Sequence, residues 1–378
     1  MSNTNNSLSP GATKAHNIQA HELKHMVAEA RDKFGDPAIA VMLMDSNAVY
    51  LKEVQGVRVA NQSDAVTPED FFHIGSTAKS WIAMISARLV EQDKLRWDSR
   101  FFEIYPELIS KANPAYANIT LEDLLMSRAG LPAFTNANET EMPEINNTSV
   151  SDARLEFIQY VLRQPPASKT KHGQFQHLYS NPGYVLASAM LERVTGLTYE
   201  EMAKQTLEQD LQITVCIGWP NSYSINQPWG HRIDGGKIEF FGPDNEYEIP
   251  VFMAPAGNLS MTPESYAKYT QLHLKGLLGQ SEYISRGSFY RIHYRHKGFS
   301  LAVMNGSFRG IRFSGFDGSA TTFFARSIIV PEADFAFAIL ANAASAKGTS
   351  AAAEWLTKRI IDRQFKLSWW DRLLLWLS

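Results

Sequence analysis

The alternation of apolar and polar positions divides the chain into strands, a long helical stretch, and strands again. Residues 21–34 read as a helix closed by Gly35. Residues 38–44 and 48–52 read as paired strands joined at Asp45-Ser46-Asn47, with 57–60 as a candidate continuation of the sheet. From about 77 to 283 the pattern is mostly helical with loops. Three of its helices open on recognisable caps: Thr120 with Asp123, Thr198 with Glu201, and Thr262 followed by Pro263, which opens a helix over 264–278. Gly196 and Gly279 mark helix stops, and Asp234-Gly235-Gly236 predicts a small hairpin between His231 and Phe241. Strand patterns then return. Residues 299–304 and 308–313 predict a hairpin turning at Asn305-Gly306, 321–330 and 335–341 a second pair, and 349–362 an amphipathic helix with Leu356 and Ile360 on one face.

This order predicts an α/β (α+β) architecture. One antiparallel sheet, flanked by N- and C-terminal helices, would be assembled from both ends of the chain, with a mainly helical subdomain inserted between them. The expected divisions are a disordered tail over 1–20, a sheet subdomain from 21–75 and 286–362, a mainly helical subdomain over 76–285, and a Trp/Leu-rich tail over 363–378. In that last tail Trp369, Trp370 and Trp376 sit among five leucines, a stretch too short to span a bilayer. It reads first as a contact with its own domain or a second subunit, and second as a membrane-surface segment.

Composition narrows the possible functions. With 378 residues and 44% hydrophobic content, a large core is available. A net charge of −3 with both signs mixed makes no electrostatic case for nucleic acid. The single cysteine, Cys216, excludes an intrachain disulfide and a cysteine metal cluster, and reads as a small buried hydrophobe. The first twenty residues have no apolar core of a signal peptide, and no run reaches eighteen apolar residues. The expected location is the cytoplasm, or outside it with the leader absent from the chain.

Candidate chemistry concentrates in Phe71-Phe72-His73-Ile74-Gly75-Ser76-Thr77-Ala78-Lys79, followed by a strongly apolar helical segment. In a helix Ser76 and Lys79 share one face. A serine hydroxyl becomes a nucleophile when a base takes its proton, and a lysine is that base only if burial or a nearby cation lowers its pKa. A helix N-terminus beside Ser76 would favour a developing oxyanion. S-x-x-K alone is weak, since Ser168 and Lys171 also fit it. His21-Glu22-Leu23-Lys24-His25 matches a zinc-protease motif in form, but it adjoins a polar tail, no convincing third ligand follows, and a solvated helix explains it. A second catalytic candidate is Tyr179-Ser180-Asn181 before a Pro-Gly turn: a tyrosine beside a lysine can share its proton, and an asparagine offers an orienting amide. Tyr116-Ala117-Asn118 is the corresponding decoy.

Four segments carry a resemblance: Phe72-His73-Ile74-Gly75-Ser76 with Lys79; Leu124-Leu125 with Gly130-Leu131-Pro132; Tyr179-Ser180-Asn181; and Ala256-Gly257-Asn258-Leu259 with Thr262. With these, residues 22–362 resemble the serine hydrolases related to class C β-lactamases and penicillin-binding D-Ala-D-Ala carboxypeptidases and esterases. The resemblance implies Ser76 as acylated nucleophile, Lys79 and Tyr179 as the coupled proton-handling pair, and Asn181 as a substrate-orienting amide. The division of labour between Lys79 and Tyr179 stays open.

The family's third motif, a Lys or His two residues before a glycine on a strand, is altered. Here Phe316-Asp317-Gly318-Ser319 stands in its place, with Phe316 where the cation belongs. The backbone N–H of Ser319 could still complete an oxyanion hole with that of Ser76. A substrate carboxylate would lose a charge-assisted partner of about 1.5–3 kcal/mol. Whether His296, Arg312 or Arg326 supplies another cation is not legible in the sequence.

The leading expectation is therefore an acyl-serine hydrolase for small-molecule or peptide-like ester or amide substrates that need no carboxylate recognition. Neither metal nor organic cofactor is implied. The alternative is a non-catalytic binding or regulatory member of the same fold, to which Phe316 points.

Overall fold

The computed structural model describes residues 16–135, 142–146, 149–244, 249–308 and 310–366. Helix α1 (Ala20–Phe34) ends at Gly35 in the left-handed conformation and leads into β1 (Ala38–Met44) and β2 (Val49–Gly56). The short strand β3 (Phe72–His73) precedes a 3-10 turn over Gly75–Ala78 and helix α2 (Lys79–Glu91). Within the inserted helical stretch, α3 (Asn181–Thr195), β4 (Leu259–Met261), α4 (Pro263–Leu278) and α5 (Arg286–Tyr294) bear on the site. The chain then returns through β5 (Met304–Phe308), β6 (Ile311–Ser319), β7 (Phe324–Val330) and β8 (Phe335–Ala341), and α6 (Ala351–Phe365) follows.

The main sheet has six strands in the order β5-β6-β7-β8-β1-β2, every neighbour antiparallel. Two neighbouring interior strands, β8 and β1, are buried along their whole length. The reason is a helical layer on each face. Ile39, Val41 and Leu43 share a core with Val27 of α1 and Leu356 of α6, whereas Ala40 and Met42 face the larger core that includes α2, α3 and α4. Strands covered on both sides are read in sequence as continuous apolar runs. The mixed helix and antiparallel sheet architecture is the one the sequence predicts.

Several local expectations change. Residues 16–19 are packed rather than loose: His16 stacks on Tyr50 at 3.6 Å and bonds Asp45, Asn17 donates to the Gln364 carbonyl, and Ile18 is buried. The expected tail over 1–15 and the Trp/Leu-rich segment 367–378 lie outside the described residues. Strand β2 runs on to Gly56, after which Val57 makes only an isolated bridge to Ala65, so 57–60 is not a further strand. The hairpin near the C-terminal end turns around Gly310, not at Asn305-Gly306, which lie inside β5. The Asn305 side chain is occupied in fastening the preceding loop, bonding the Gly298 N–H and the carbonyls of His293 and His296. Gly306 is covered by the Phe313 ring across the strand pair. The Asp234-Gly235-Gly236 turn does join a hairpin, Gly230–Asp234 with Lys237–Phe241. Among the described residues no helix is long and apolar enough to cross a membrane.

Candidate active site

Ser76 sits on the 3-10 turn that bridges β3 and α2. Side chains three apart eclipse one another in a 3-10 turn, so Ser76 and Lys79 meet directly. Lys79 Nζ donates to Ser76 Oγ at 2.8 Å and also to the carbonyl oxygen of Ala256. The amine is buried, with Nζ 5.2 Å from the Tyr179 ring centre and 5.3 Å from that of Tyr184. Loss of solvation lowers its pKa from the usual 10.5 to about 7.

Tyr179 comes from the segment just before α3, and its side chain borders the cavity with Ser76. Burial raises its pKa to about 12, against the smaller opposing effect of Ser76, so the phenol is protonated at neutral pH. Its segment is stitched to residues 127–134. Leu178 N–H donates to Ser127, Ser180 Oγ to Pro132, and Asn181 N–H to Ala133. Below it, Tyr184 donates its hydroxyl to the Leu125 carbonyl at 2.7 Å. The Leu124-Leu125 and Gly130-Leu131-Pro132 segments thus act as a bracket for Tyr179 and supply no reacting group.

Strand β6 forms the opposite side. Gly318 lies against the Ser76 turn, and Ser319 follows at the strand end, its Oγ donating to the Phe323 carbonyl at 2.9 Å. An ideal Cβ on Gly75 would fall 2.6 Å from the Ser319 backbone nitrogen. The amide nitrogens of Ser76 and Ser319 are therefore neighbours at one junction. A cavity of 660 Å³ opens there, and Ser76, Lys79, Tyr179, Phe316, Gly318 and Ser319 all border it. Phe299, Ala302 and Met304 form an apolar wall, with the Phe299 ring edge-on to Tyr179 at 6.1 Å. Asp317, Arg326, Lys347 and Glu354 line a charged wall.

Two predicted residues are held differently from the expectation. Asn181 donates its amide to the Phe134 carbonyl at 2.6 Å and is not among the residues bordering the cavity. Its Oδ1 is buried without a hydrogen-bond partner among the described residues. Phe316 borders the cavity, but its ring is buried against His273 and Tyr269 of α4 and His293 of α5, at 5.0, 6.2 and 6.0 Å. Of the other cations considered, Arg326 reaches the cavity, yet it is shared between Asp317 and Glu354. Arg312 pairs with Glu332, and His296 is exposed beside Arg128.

The decoys lie elsewhere. Lys171 belongs to an exposed two-stranded hairpin. Tyr116 is buried near Phe175. His21 and His25 are exposed on α1, where Glu22 is engaged by the Gln19 N–H and Arg363. Cys216 is half-buried on the short strand Val215–Ile217, less enclosed than expected.

Sequence reasoning missed the Ala256 carbonyl, the second partner of Lys79, although it singled out the 256–259 segment. It also missed His73. That ring is buried, accepts the Gly75 N–H at Nδ1 and meets Asn258 at Nε2, each at 3.2 Å.

Comparison with known proteins agrees with this geometry. The Beta-lactamase family model matches residues 23–359. The unguisins hydrolase ungD' of Aspergillus campestris is 22% identical over 368 residues, covering 92% of this chain and 66% of that protein. The Protein flp of Staphylococcus aureus strain N315 is 18% identical over 67% of this chain and 47% of its own length. The chain thus spans less than two thirds of the length of these curated relatives. Among solved structures, the D-amino acid amidase from Ochrobactrum anthropi SV3 superposes with a TM-score of 0.71 at 17% identity, covering 91% of this chain and 97% of that one. The octameric penicillin-binding protein homologue from Pyrococcus abyssi gives 0.72 at 18% identity, over 91% and 77%. The family match covers nearly all of the described chain and includes each segment of the cleft, and the protein belongs to the β-lactamase family.

Proposed function

We propose that the protein is an acyl-serine hydrolase that cleaves ester or amide bonds through a covalent acyl-enzyme on Ser76. The observation that carries this reading is the 2.8 Å contact between Ser76 Oγ and a lysine amine that burial holds near neutrality. At pH 7 a substantial fraction of Lys79 is unprotonated, so it can accept the Ser76 proton as Oγ attacks the substrate carbonyl carbon. The carbonyl oxygen takes up negative charge opposite the Ser76 and Ser319 N–H groups. Tyr179, still protonated, passes a proton to the departing alcohol or amine and is replenished from Lys79. A water then adds to the acyl-ester, loses its proton to the same pair, and releases the acid with regeneration of Ser76.

The substrate class follows from Phe316. Its ring fills core space and offers no charge, which favours esters or amides that need no carboxylate clamp at this position. The names of two relatives, a hydrolase of unguisins and a D-amino acid amidase, are in keeping with acyl transfer to water.

Activity against p-nitrophenyl acetate, a D-amino-acid amide and nitrocefin, with Ser76→Ala as control, tests the reading. The ester should be cleaved best, and the variant should lose turnover. Equal turnover by both proteins would end the proposal. Labelling by a fluorophosphonate separates it from a non-catalytic member of the fold, whose serine would stay unmodified.

A further inference from the structure

His73 occupies the residue position just ahead of the nucleophile turn, on β3, where its register partner on β4 is Ser260. Strand pairing alone would hold this backbone, since Ile74 N–H donates to Leu259 O at 2.9 Å. The imidazole adds two further bonds, one to the Ser76 turn and one to the 256–258 loop. Its Nδ1 accepts the Gly75 N–H, in the residue directly before Ser76. With Nδ1 an acceptor, the ring proton resides on Nε2 and is donated to Asn258 Oδ1. Asn258 belongs to the loop whose Ala256 carbonyl binds Lys79 Nζ. Between them, Gly257 packs so closely that an ideal Cβ would lie 3.1 Å from the Gly75 carbonyl carbon and 3.3 Å from the Ser76 nitrogen.

We infer that His73 is a positioning residue: its hydrogen bonds to Gly75 and Asn258 lock the Ser76 turn to the 256–258 loop that holds the Lys79 amine. This rests on the acyl-serine reading for its catalytic consequence, though not for its structural one. Only a neutral imidazole can accept and donate in this way. Its surroundings keep it so: the Trp219 ring lies tilted against it at 4.0 Å and that of Phe323 at 6.4 Å, and full burial lowers its pKa to about 3. Without the strut, strand pairing still joins the two segments, but the Ala256 carbonyl and the Ser76 turn lose the side-chain bonds that fix their fine alignment. Displacements of about 1 Å in a catalytic array cost on the order of a hundredfold in rate.

The test uses full-length protein labelled with ε-13C lysine, as wild type, His73→Phe, Asn258→Ala and Asn258→Asp. His73→Phe keeps a ring in the slot and removes both bonds; Asn258→Asp keeps the acceptor. The Lys79 resonance should titrate near neutrality in wild type. In His73→Phe and Asn258→Ala its midpoint should rise by about one pH unit or more as water reaches the amine. For p-nitrophenyl acetate, kcat should fall about ten- to a hundredfold in both variants with little change in KM, while Asn258→Asp stays within about threefold of wild type. A folded His73→Phe with wild-type Lys79 titration and wild-type kcat overturns the inference. Should His73→Phe fail to fold, Asn258→Ala decides on the same criteria. A wild type that cleaves no ester refutes the hydrolase reading, and the Lys79 titration still decides the strut.

Discussion

Gly318 faces Ser76 across a gap that admits no side chain. An ideal Cβ on Gly318 would lie 2.0 Å from the Ile74 carbonyl oxygen and 2.9 Å from the Ser76 amide nitrogen. Both atoms belong to backbone that is pinned elsewhere, so neither can retreat cheaply. Gly318→Ala should push β6 away from the nucleophile turn. We expect a stability loss of about 1–3 kcal/mol in urea unfolding and an ester kcat/KM lower by about a hundredfold or more. A variant with normal turnover would show that the turn and strand need not touch for catalysis.

In the proposed mechanism Lys79 sets the pH dependence. Its folded pKa of about 7 lies below the usual 10.5, and the neutral form would be the base. Ester turnover should therefore rise with pH through about 7 and level off above it. Tyr179, held up near 12, should add no limb below about pH 10. The same depression costs stability: the unfolded lysine binds a proton below 10.5 that the folded one refuses until about 7, so this contribution is lost as pH falls through that window. Lys79→Met should abolish turnover while leaving the melting temperature at pH 7 unchanged or higher. A clear drop in melting temperature would contradict the burial cost.

Phe316 is a core residue as much as a cleft residue. Restoring the family's cation with Phe316→Lys would place a charge among Tyr269, His273 and His293. We expect a loss of about 3–5 kcal/mol, the cost of an uncompensated buried charge, and no gain in nitrocefin hydrolysis. A stable variant that gains activity toward carboxylate-bearing substrates would show that the ring can be turned out into the cleft.

Acid should destabilise the fold well before its surface carboxylates titrate. Burial lowers the pKa of His73 and His273 to about 3 and of His231 to about 4, and holds that of His293 well below its usual value. Each is neutral in the folded state and protonates near 6.5 when unfolded, so its stabilising contribution is present above 6.5 and lost below it. Asp36, pushed up to about 7 by burial, works in the opposite direction and offsets one of the four. Each uncompensated histidine contributes up to about 1.4 kcal/mol per pH unit. The urea midpoint should fall steadily from about pH 7 to pH 5, and a flat profile would contradict the neutral, buried state of these rings.

What could be read from the sequence was local or repetitive. Ser76 and Lys79 meet because any helical turn puts i and i+3 together. Strands β1 and β8 show as unbroken apolar runs because both of their faces are covered, and Thr120, Thr198 and Thr262 cap their helices with their own side chains. The destination of a side chain across the fold was another matter. Phe316 marks the missing cation in sequence, yet only packing against α4 and α5 directs its ring into the core. Asn181 sits in the expected motif, yet a carbonyl 47 residues earlier takes its amide. The partner of Lys79 is a backbone oxygen, which no residue type announces, and the His73–Asn258 bond joins positions 185 apart. Spacing along a chain determines which neighbours share a face; which distant groups touch is decided when sheet, turn and loop close on one another, because hydrogen bonds and contacts act over a few ångströms in space and carry no record of separation in sequence.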